Sequence, residues 1–281
     1  MKMLLSTALA ALIASSSAFA ADLYAPEPAP ITPAAPVAVS TSGWYLRGDV
    51  GYAWNHLRGA SYWQGGPGGF NADFDDADVD DSWVIGGGVG YQWNDYFRTD
   101  VTLDYMFDSD FEGSTSGSCG VAADCVSTDR ASWNALSLLA NAYVDLGTYG
   151  GVAGGFGGIT PYVGAGIGAT RVNWGSLRNT SCDVNDPSNC DGSVEHDGED
   201  SWRFTYALMA GASVDLTCNW AADAGYRFRQ IAGGDMFGYA MNGGPGDDDG
   251  FYVHEARLGL RYTFNSCEAP YVPPAEPVVY K

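Results

Sequence analysis

Basic residues are scarce in this chain, and lysine occurs only at positions 2 and 281. With 13 Lys and Arg against 34 Asp and Glu, the formal charge is −21. A chain this acidic lacks the basic face that phosphate backbones require, which excludes nucleic acid as a partner. No apolar run of the helical membrane type follows the N-terminal leader. The one long uncharged stretch, 147–170, is rich in glycine and carries Pro161, which argues against a spanning helix. There is no Cys-x-x-Cys, and His56, His196 and His254 do not complete a zinc-ligand pattern. Charged residues make up only 17%, beside 38 glycines and 14% aromatics, a composition unlike that of an ordinary soluble domain.

What is present begins with an export leader. Lys2 precedes an apolar run from Leu4 to Ala14, and Ala18-Phe19-Ala20 supplies the small residues of a cleavage site. A signal peptide over 1–20 is expected, with the mature chain starting at Ala21. Its removal takes away one lysine and no acid, so −21 becomes −22 over 261 residues. Repeated Ala-Pro steps make 21–42 an extended periplasmic linker, and 266–281 is a second proline-rich tail.

Between them, over 43–265, the dominant signal is alternation of period two. Trp44, Leu46, Val50, Tyr52 and Trp54 share one parity, against Arg47, Asp49, Gly51 and Ala53. Trp83, Ile85, Val89, Tyr91 and Trp93 repeat the pattern, as do Phe97, Val101, Leu103, Tyr105 and Phe107 against Arg98, Asp100, Thr102 and Asp104. A strand places such sets on opposite faces. The stretch Ser132 to Leu146 is weaker, because Leu139 interrupts its polar face and a helix capped by Gly147 is the rival. Thr160 to Trp174 has ambiguous parity. Alternation returns in Trp202 to Leu216, Trp220 to Arg229 and Tyr252 to Phe264.

About eight segments of this length predict an all-β fold: an eight-stranded antiparallel up-and-down transmembrane β-barrel ending at Phe264. Long polar connections at 55–81, 108–131, 175–201 and 230–250 alternate with short ones at 94–95 and 217–219, while 147–159 is longer and mostly glycine. Long external loops and short periplasmic turns are the barrel rule. That topology narrows the fifteen possible pairings of six cysteines. Cys119 with Cys125 and Cys182 with Cys190 fall in external loops, and Cys218 with Cys267 at the periplasmic end.

Arg47, Asp49, Arg98, Asp100, Asp104, Arg203, Asp215, Asp223, Arg227, Arg229, Glu255, Arg257 and Arg261 all take inward parity, which predicts a lumen charge network. Opposite charges in a narrow lumen pair with one another, and a plugged interior is expected rather than an ion path. The acidic clusters 73–81 and 247–249 are expected to be solvated external surface; an EF-hand register is missing. No catalytic site emerges. His254 has lipid-facing parity, as a deacylase histidine would, but Ala256 stands where its serine is needed, and no Gly-x-Ser-x-Gly elbow occurs. No cofactor or metal is expected.

The mature start ADLYAPEPAP leading into GWYLRGDVGYAW, the segment TPYVGAGIG and the closing RLGLRYTF carry a resemblance. The chain resembles alphaproteobacterial outer-membrane β-barrel proteins of the rhizobial and Brucella surface-antigen type, within the OmpA-like and opacity-type eight-stranded group. The resemblance implies an assembly signal for the barrel-assembly machinery at Leu258, Leu260, Tyr262 and Phe264. The chain departs from the usual pattern in that this phenylalanine is internal, and no peptidoglycan-binding domain fits in the residues after it.

The expected function is structural: a barrel of the cell outer membrane that supports envelope integrity and displays surface loops. Its expected partners are outer-membrane lipids, lipopolysaccharide, the assembly machinery and an external ligand or host surface. The alternatives are a haem-binding or adhesive protein, for which the loops offer His56, Tyr62, Trp63 and His196, and a narrow porin-like channel.

Overall fold

The computed structural model describes residues 42–64, 68–149, 158–240 and 243–264. The expected leader, linker and tail lie outside these residues, apart from Ser42, and so does Cys267. Eight long strands dominate: β1 (Gly43–Leu57), β2 (Ser82–Asn94), β3 (Phe97–Ser114), β4 (Cys125–Asp145), β5 (Ile159–Trp174), β6 (Asp200–Asp215), β7 (Trp220–Phe237) and β8 (Gly246–Thr263). Each pairs antiparallel with its neighbours in sequence, and β1 also pairs with β8. The pairings therefore form a ring, and none of the eight has a free edge.

Lipid explains the closure, since hydrocarbon offers no partner to an open strand edge. Trp44, Leu46, Val50, Trp54, Ile85, Val89, Val101 and Leu103 are all exposed, which is the outward apolar face that alternation predicts. Aromatics bound this belt at both ends, with Trp44, Tyr91, Trp93 and Trp220 below and Trp54, Trp83, Trp202 and Phe204 above. From Trp44 to Trp54 the strand rises about 34 Å, or about 25 Å once tilted, matching the usual apolar band.

The strands run well past that band. β3, β7 and β8 have 18 residues each and β4 has 21, about twice what a crossing needs. Much of the sequence expected as loop at 108–131 and 230–250 is therefore strand. Short strands Ala60–Gln64, Phe70–Asp73, Asp76–Val79, Leu177–Asp183 and Val194–His196 extend the same sheet beyond the belt. The physical reason is a second core. Ala53, Leu57, Val84, Met106, Phe111, Trp133, Val172, Trp174, Ile231, Phe237, Phe251 and Val253 cluster inside this extension, so the ladder keeps its inward packing after leaving the lipid.

The expected fourth strand is observed, running to Asp145 without the rival helix, and Leu139 points inward and is fully buried. Two expectations change in detail. The ambiguous fifth segment resolves with its even residues inward, among them Tyr162, Thr170, Val172 and Trp174. The last strand ends at Thr263, one residue before Phe264, whose N–H still donates to the Trp44 carbonyl at 3.0 Å.

Turn chemistry is local. Asn94 Oδ1 accepts from the backbone N–H of Tyr96 and of Phe97, at 2.9 Å each, closing the short β2–β3 turn. Gly250 has φ of 95° inside β8, and a Cβ there would lie 2.3 Å from the Ile231 carbonyl, so only glycine fits. A closed barrel of this kind should migrate differently on a gel before and after boiling; identical mobility in an outer-membrane preparation would contradict the ring.

Candidate functional site: a charged lumen under an apolar cap

The inward faces divide into three layers. At the end with short turns, the Arg98 guanidinium lies over the Tyr143 and Tyr162 rings at 4.4 and 4.7 Å. It reaches Asp145 at 3.2 Å and Asp223 at 4.0 Å. Arg261 is buried nearby with its guanidinium 5.7 Å from the Tyr45 ring. Tyr45 fits there because β2 offers Gly90 opposite it; a Cβ on Gly90 would meet the tyrosine ring at 2.3 Å.

The middle layer holds four arginines and four acids. Asp104 accepts from Arg227 at 2.8 Å and Arg257 at 2.6 Å. Glu255 accepts from Arg227 and Arg229 Nε at 2.9 Å each, and Arg257 lies 3.3 Å away. Arg47 pairs with Asp49 at 3.3 Å and Asp100 at 3.1 Å, and Asp49 also meets Arg257. Asp100 further accepts from Asn141 at 2.7 Å and Tyr45 at 3.1 Å. The layer is formally neutral, which is what burial demands of charge. The space left beside Arg47, Asp49, Tyr143 and Arg257 is about 20 Å³, room for about one water.

Hydroxyls separate this layer from the cap. Thr170 joins Ser137 and Thr205 at 2.8 Å each, and Ser137 also takes a hydrogen bond from Arg229. Above them Trp133 stacks on Phe251 with centroids 4.4 Å apart, and Trp174 meets Phe111 edge-on at 5.6 Å. Arg203 is enclosed here, donating to both Asp248 oxygens at 2.6 and 2.7 Å and to the Asp235 carbonyl at 2.7 Å. Trp174 Nε1 adds a bond to Asp248 at 3.0 Å.

The expected charge network is thus not one cluster. Arg47, Asp49, Asp100, Asp104, Arg227, Arg229, Glu255 and Arg257 meet in the middle. Arg98 and Asp223 belong to the lower layer, and Arg203 to the cap. Asp215 is exposed at the lower rim and joins no ion pair among the described residues, because β6 ends there and its side chain reaches water. Asp145 and Asp248 were not anticipated. Asp145 has the inward parity that would have revealed it, whereas Asp248 sits in an acidic triplet expected to be surface. The cap carried a signal too, since Val84, Met106, Trp133 and Phe251 make the inward parity apolar toward the long-loop ends.

The cysteines fall as follows. Cys119 is bonded to Cys125 and Cys182 to Cys190, both in the extension, and Cys218 is also disulfide-bonded. Of the aromatic and histidine loop residues, Tyr62 packs on Phe74 and His196 on Phe237, with His196 Nδ1 2.9 Å from the Gly238 carbonyl. Trp63 lies in the short strand Ala60–Gln64, and His56 is exposed on the outer face of β1.

In the cap, burial pushes the Asp129 carboxyl above its ordinary range, against the pull of hydrogen bonds from Ser127 and Asn179 at 2.5 and 2.6 Å. A raised folded-state pKa means that acid favours the folded cap and that this contribution fades as pH rises through the Asp129 titration.

A closed antiparallel ring with an apolar outer belt, aromatic girdles and a paired polar interior defines an integral outer-membrane barrel. The family model described as outer membrane protein beta-barrel domain matches residues 6–264, and the chain belongs to that family. It is an outer-membrane protein. Uncharacterized proteins of Brucella abortus (strain 2308) and Brucella suis biovar 1 (strain 1330) are each 36% identical to it, over 89% of this chain and 93% of theirs. Similar solved structures include OprG from Pseudomonas aeruginosa, with 13% identity and a TM-score of 0.46, covering 79% of this chain and 96% of that one. Neisserial surface protein A shows 18% identity and a TM-score of 0.36, covering 79% and 99%.

Two measurements probe the layers. Glu255→Gln leaves Arg229 without its carboxylate and should destabilise the barrel by about 3–5 kcal/mol in urea unfolding from vesicles. Arg171→Ala, which breaks a half-exposed pair with Asp200, should cost under about 1 kcal/mol. For Asp129, amide exchange across 127–130 should show extra protection in acid, and Asp129→Asn should remove that extra protection.

Proposed function

We propose that this protein is a structural, non-catalytic surface barrel that supports envelope integrity and presents its cap to the outside. The observation that carries this reading is the filled interior: a neutral, interlocked charge layer lies beneath an apolar plug around Trp133, Trp174 and Phe251. A solute path would have to break both. The same packing weighs against the channel reading. Haem capture has less support still, because Tyr62 and His196 are committed to packing inside the extension.

Insertion by the barrel-assembly machinery would use the outward face of β8. Leu258, Leu260, Tyr262 and Phe264 lie on that face, and Leu258 is 64% exposed. Phe264 is tied to Trp44 on β1, so the proposed signal sits at the seam where first and last strands meet.

Two experiments test the proposal. Reconstituted wild-type protein should give no stable large single-channel current, while Trp133→Gly should raise the frequency of conducting events; a steady wild-type current would defeat the structural reading. Phe264→Ala should lower the heat-modifiable fraction in outer membranes, whereas truncation after Asn265 should leave it unchanged. The opposite pattern would remove β8 as the assembly signal.

A further inference from the structure

The lipid-facing side of a barrel wall seldom carries groups that gain or lose protons, because they are costly there unless they serve a partner. Apart from tyrosines and acids, two such side chains stand at the external girdle among the described residues. Arg171, opposite Trp202, is already paired with Asp200 at 2.8 Å. The other is His254, on the outward face of β8 between Trp54 of β1 and Phe228 of β7.

His254 is held rather than loose. Its Nδ1 lies 2.5 Å from the Tyr226 hydroxyl, and its ring packs 5.3 Å from Phe228. When the phenol donates to Nδ1, the imidazole proton resides on Nε2, which has no hydrogen-bond partner among the described residues. The ring thereby offers a fixed N–H donor at the girdle. Directly above it, Tyr252 pairs with His56 across the ladder, and the Arg58 guanidinium lies 5.2 Å from the Tyr252 ring centroid. The exposed Arg58 side chain donates to the Asp249 backbone carbonyl, and it forms no ion pair among the described residues. Two acids stand nearby: Asp81 is engaged by the Tyr52 hydroxyl and the Asn55 backbone amide, and the Asp249 carboxylate lies beside Gly59. Two of the chain's three histidines and an arginine in no ion pair among the described residues thus rise in one column from the girdle, flanked by Trp54, Tyr226 and Tyr252.

We propose that this column, His254 with His56 and Arg58, is a binding site for the phosphate of a lipid headgroup in the outer leaflet. Its depth suits a headgroup, since Trp54 marks the boundary between hydrocarbon and polar layers. The chemistry suits a phosphate: an imidazole N–H and a guanidinium fork donate to its oxygens, and the aromatic frame covers the sugar or acyl stem beneath. The site depends only on the outer-membrane location of the barrel and is independent of the structural role proposed above.

The test uses the full mature chain in detergent micelles, with lipid retention counted by native mass spectrometry and folding checked by the boiling shift. The probe is diphosphorylated lipid A, compared with its dephosphorylated form. The wild type should retain the phosphorylated lipid at least about tenfold better, and His254→Phe combined with Arg58→Gln should remove that preference, as expected for the loss of charge-assisted contacts. Tyr226→Phe should weaken retention less, by freeing the imidazole to rotate. Arg58→Gln alone, at an exposed position, serves if the double variant does not fold, and should lower retention severalfold. Equal retention of both lipids, or unchanged retention in folded variants, would overturn the proposal. Displacement of the lipid by excess inorganic phosphate would also overturn it, assigning the column to free phosphate.

Discussion

The eight long strands are constrained by the need to satisfy their backbone hydrogen bonds where they cross hydrocarbon. The ring from β1 through β8 meets that need by closure, and the rest of the molecule follows from its size. Eight strands enclose a lumen that side chains can fill, so any charge placed inside is shut away from bulk water. Such charge is tolerable only where it is matched. The middle layer matches four arginines with four acids, and most of its members serve more than one partner. Glu255, for example, is shared among Arg227, Arg229 and Arg257. Removing one member therefore strands several others, and the interior behaves as one unit.

The alternation that reveals such strands is a property of two unlike faces, and this sets what sequence can show. β1, β2, β3, β6, β7 and β8 were legible because aromatic and aliphatic residues face lipid while charged and small residues face inward. Legibility fails where the faces become alike. In the extension the outward face turns polar and the inward face mixes apolar with polar residues, as Phe111 with Ser109 and Trp133 with Asp129 show, so the membrane-type alternation is lost just where β3, β4, β7 and β8 outrun the membrane. Leu139 misled for a related reason: it is an inward apolar residue bordering the hydroxyl layer. Parity also assigns a residue to a face without assigning it a height. It could place Arg203 and Arg98 in the lumen, but not separate the first into the cap and the second into the lower tyrosine layer. Asp215 shows the same limit, having inward parity at a height where the lumen has already opened to water.

The scarcity of lysine fits this interior. Each inward cation among the described residues is an arginine, and the geometry uses what a guanidinium has and an ammonium lacks. Arg203 spreads its donors over Asp248 and a backbone carbonyl, Arg229 reaches Glu255 and Ser137, and Arg98 lies against two tyrosine rings. A compact ammonium lacks the planar fork and the spread of donors that make these contacts at once. Lysine would also lose its charge more readily under burial, which would unbalance a layer that is neutral only when every member is ionised.

With seven arginines turned inward, the outer surface keeps only four, and the acids are left to dominate the extension. Anionic headgroups meet repulsion from a surface of this kind wherever they approach within about 8–10 Å, the screening length near physiological salt. A column of His254, His56 and Arg58 at the girdle, with its charge on Arg58, is then not one donor patch among many. It is a gap in an otherwise repulsive collar, and it lies at the depth where a headgroup must sit if its acyl chains are to reach the apolar belt. The inward sorting of arginine that keeps the lumen neutral therefore also leaves few places at the external girdle where the proposed headgroup phosphate would meet a guanidinium.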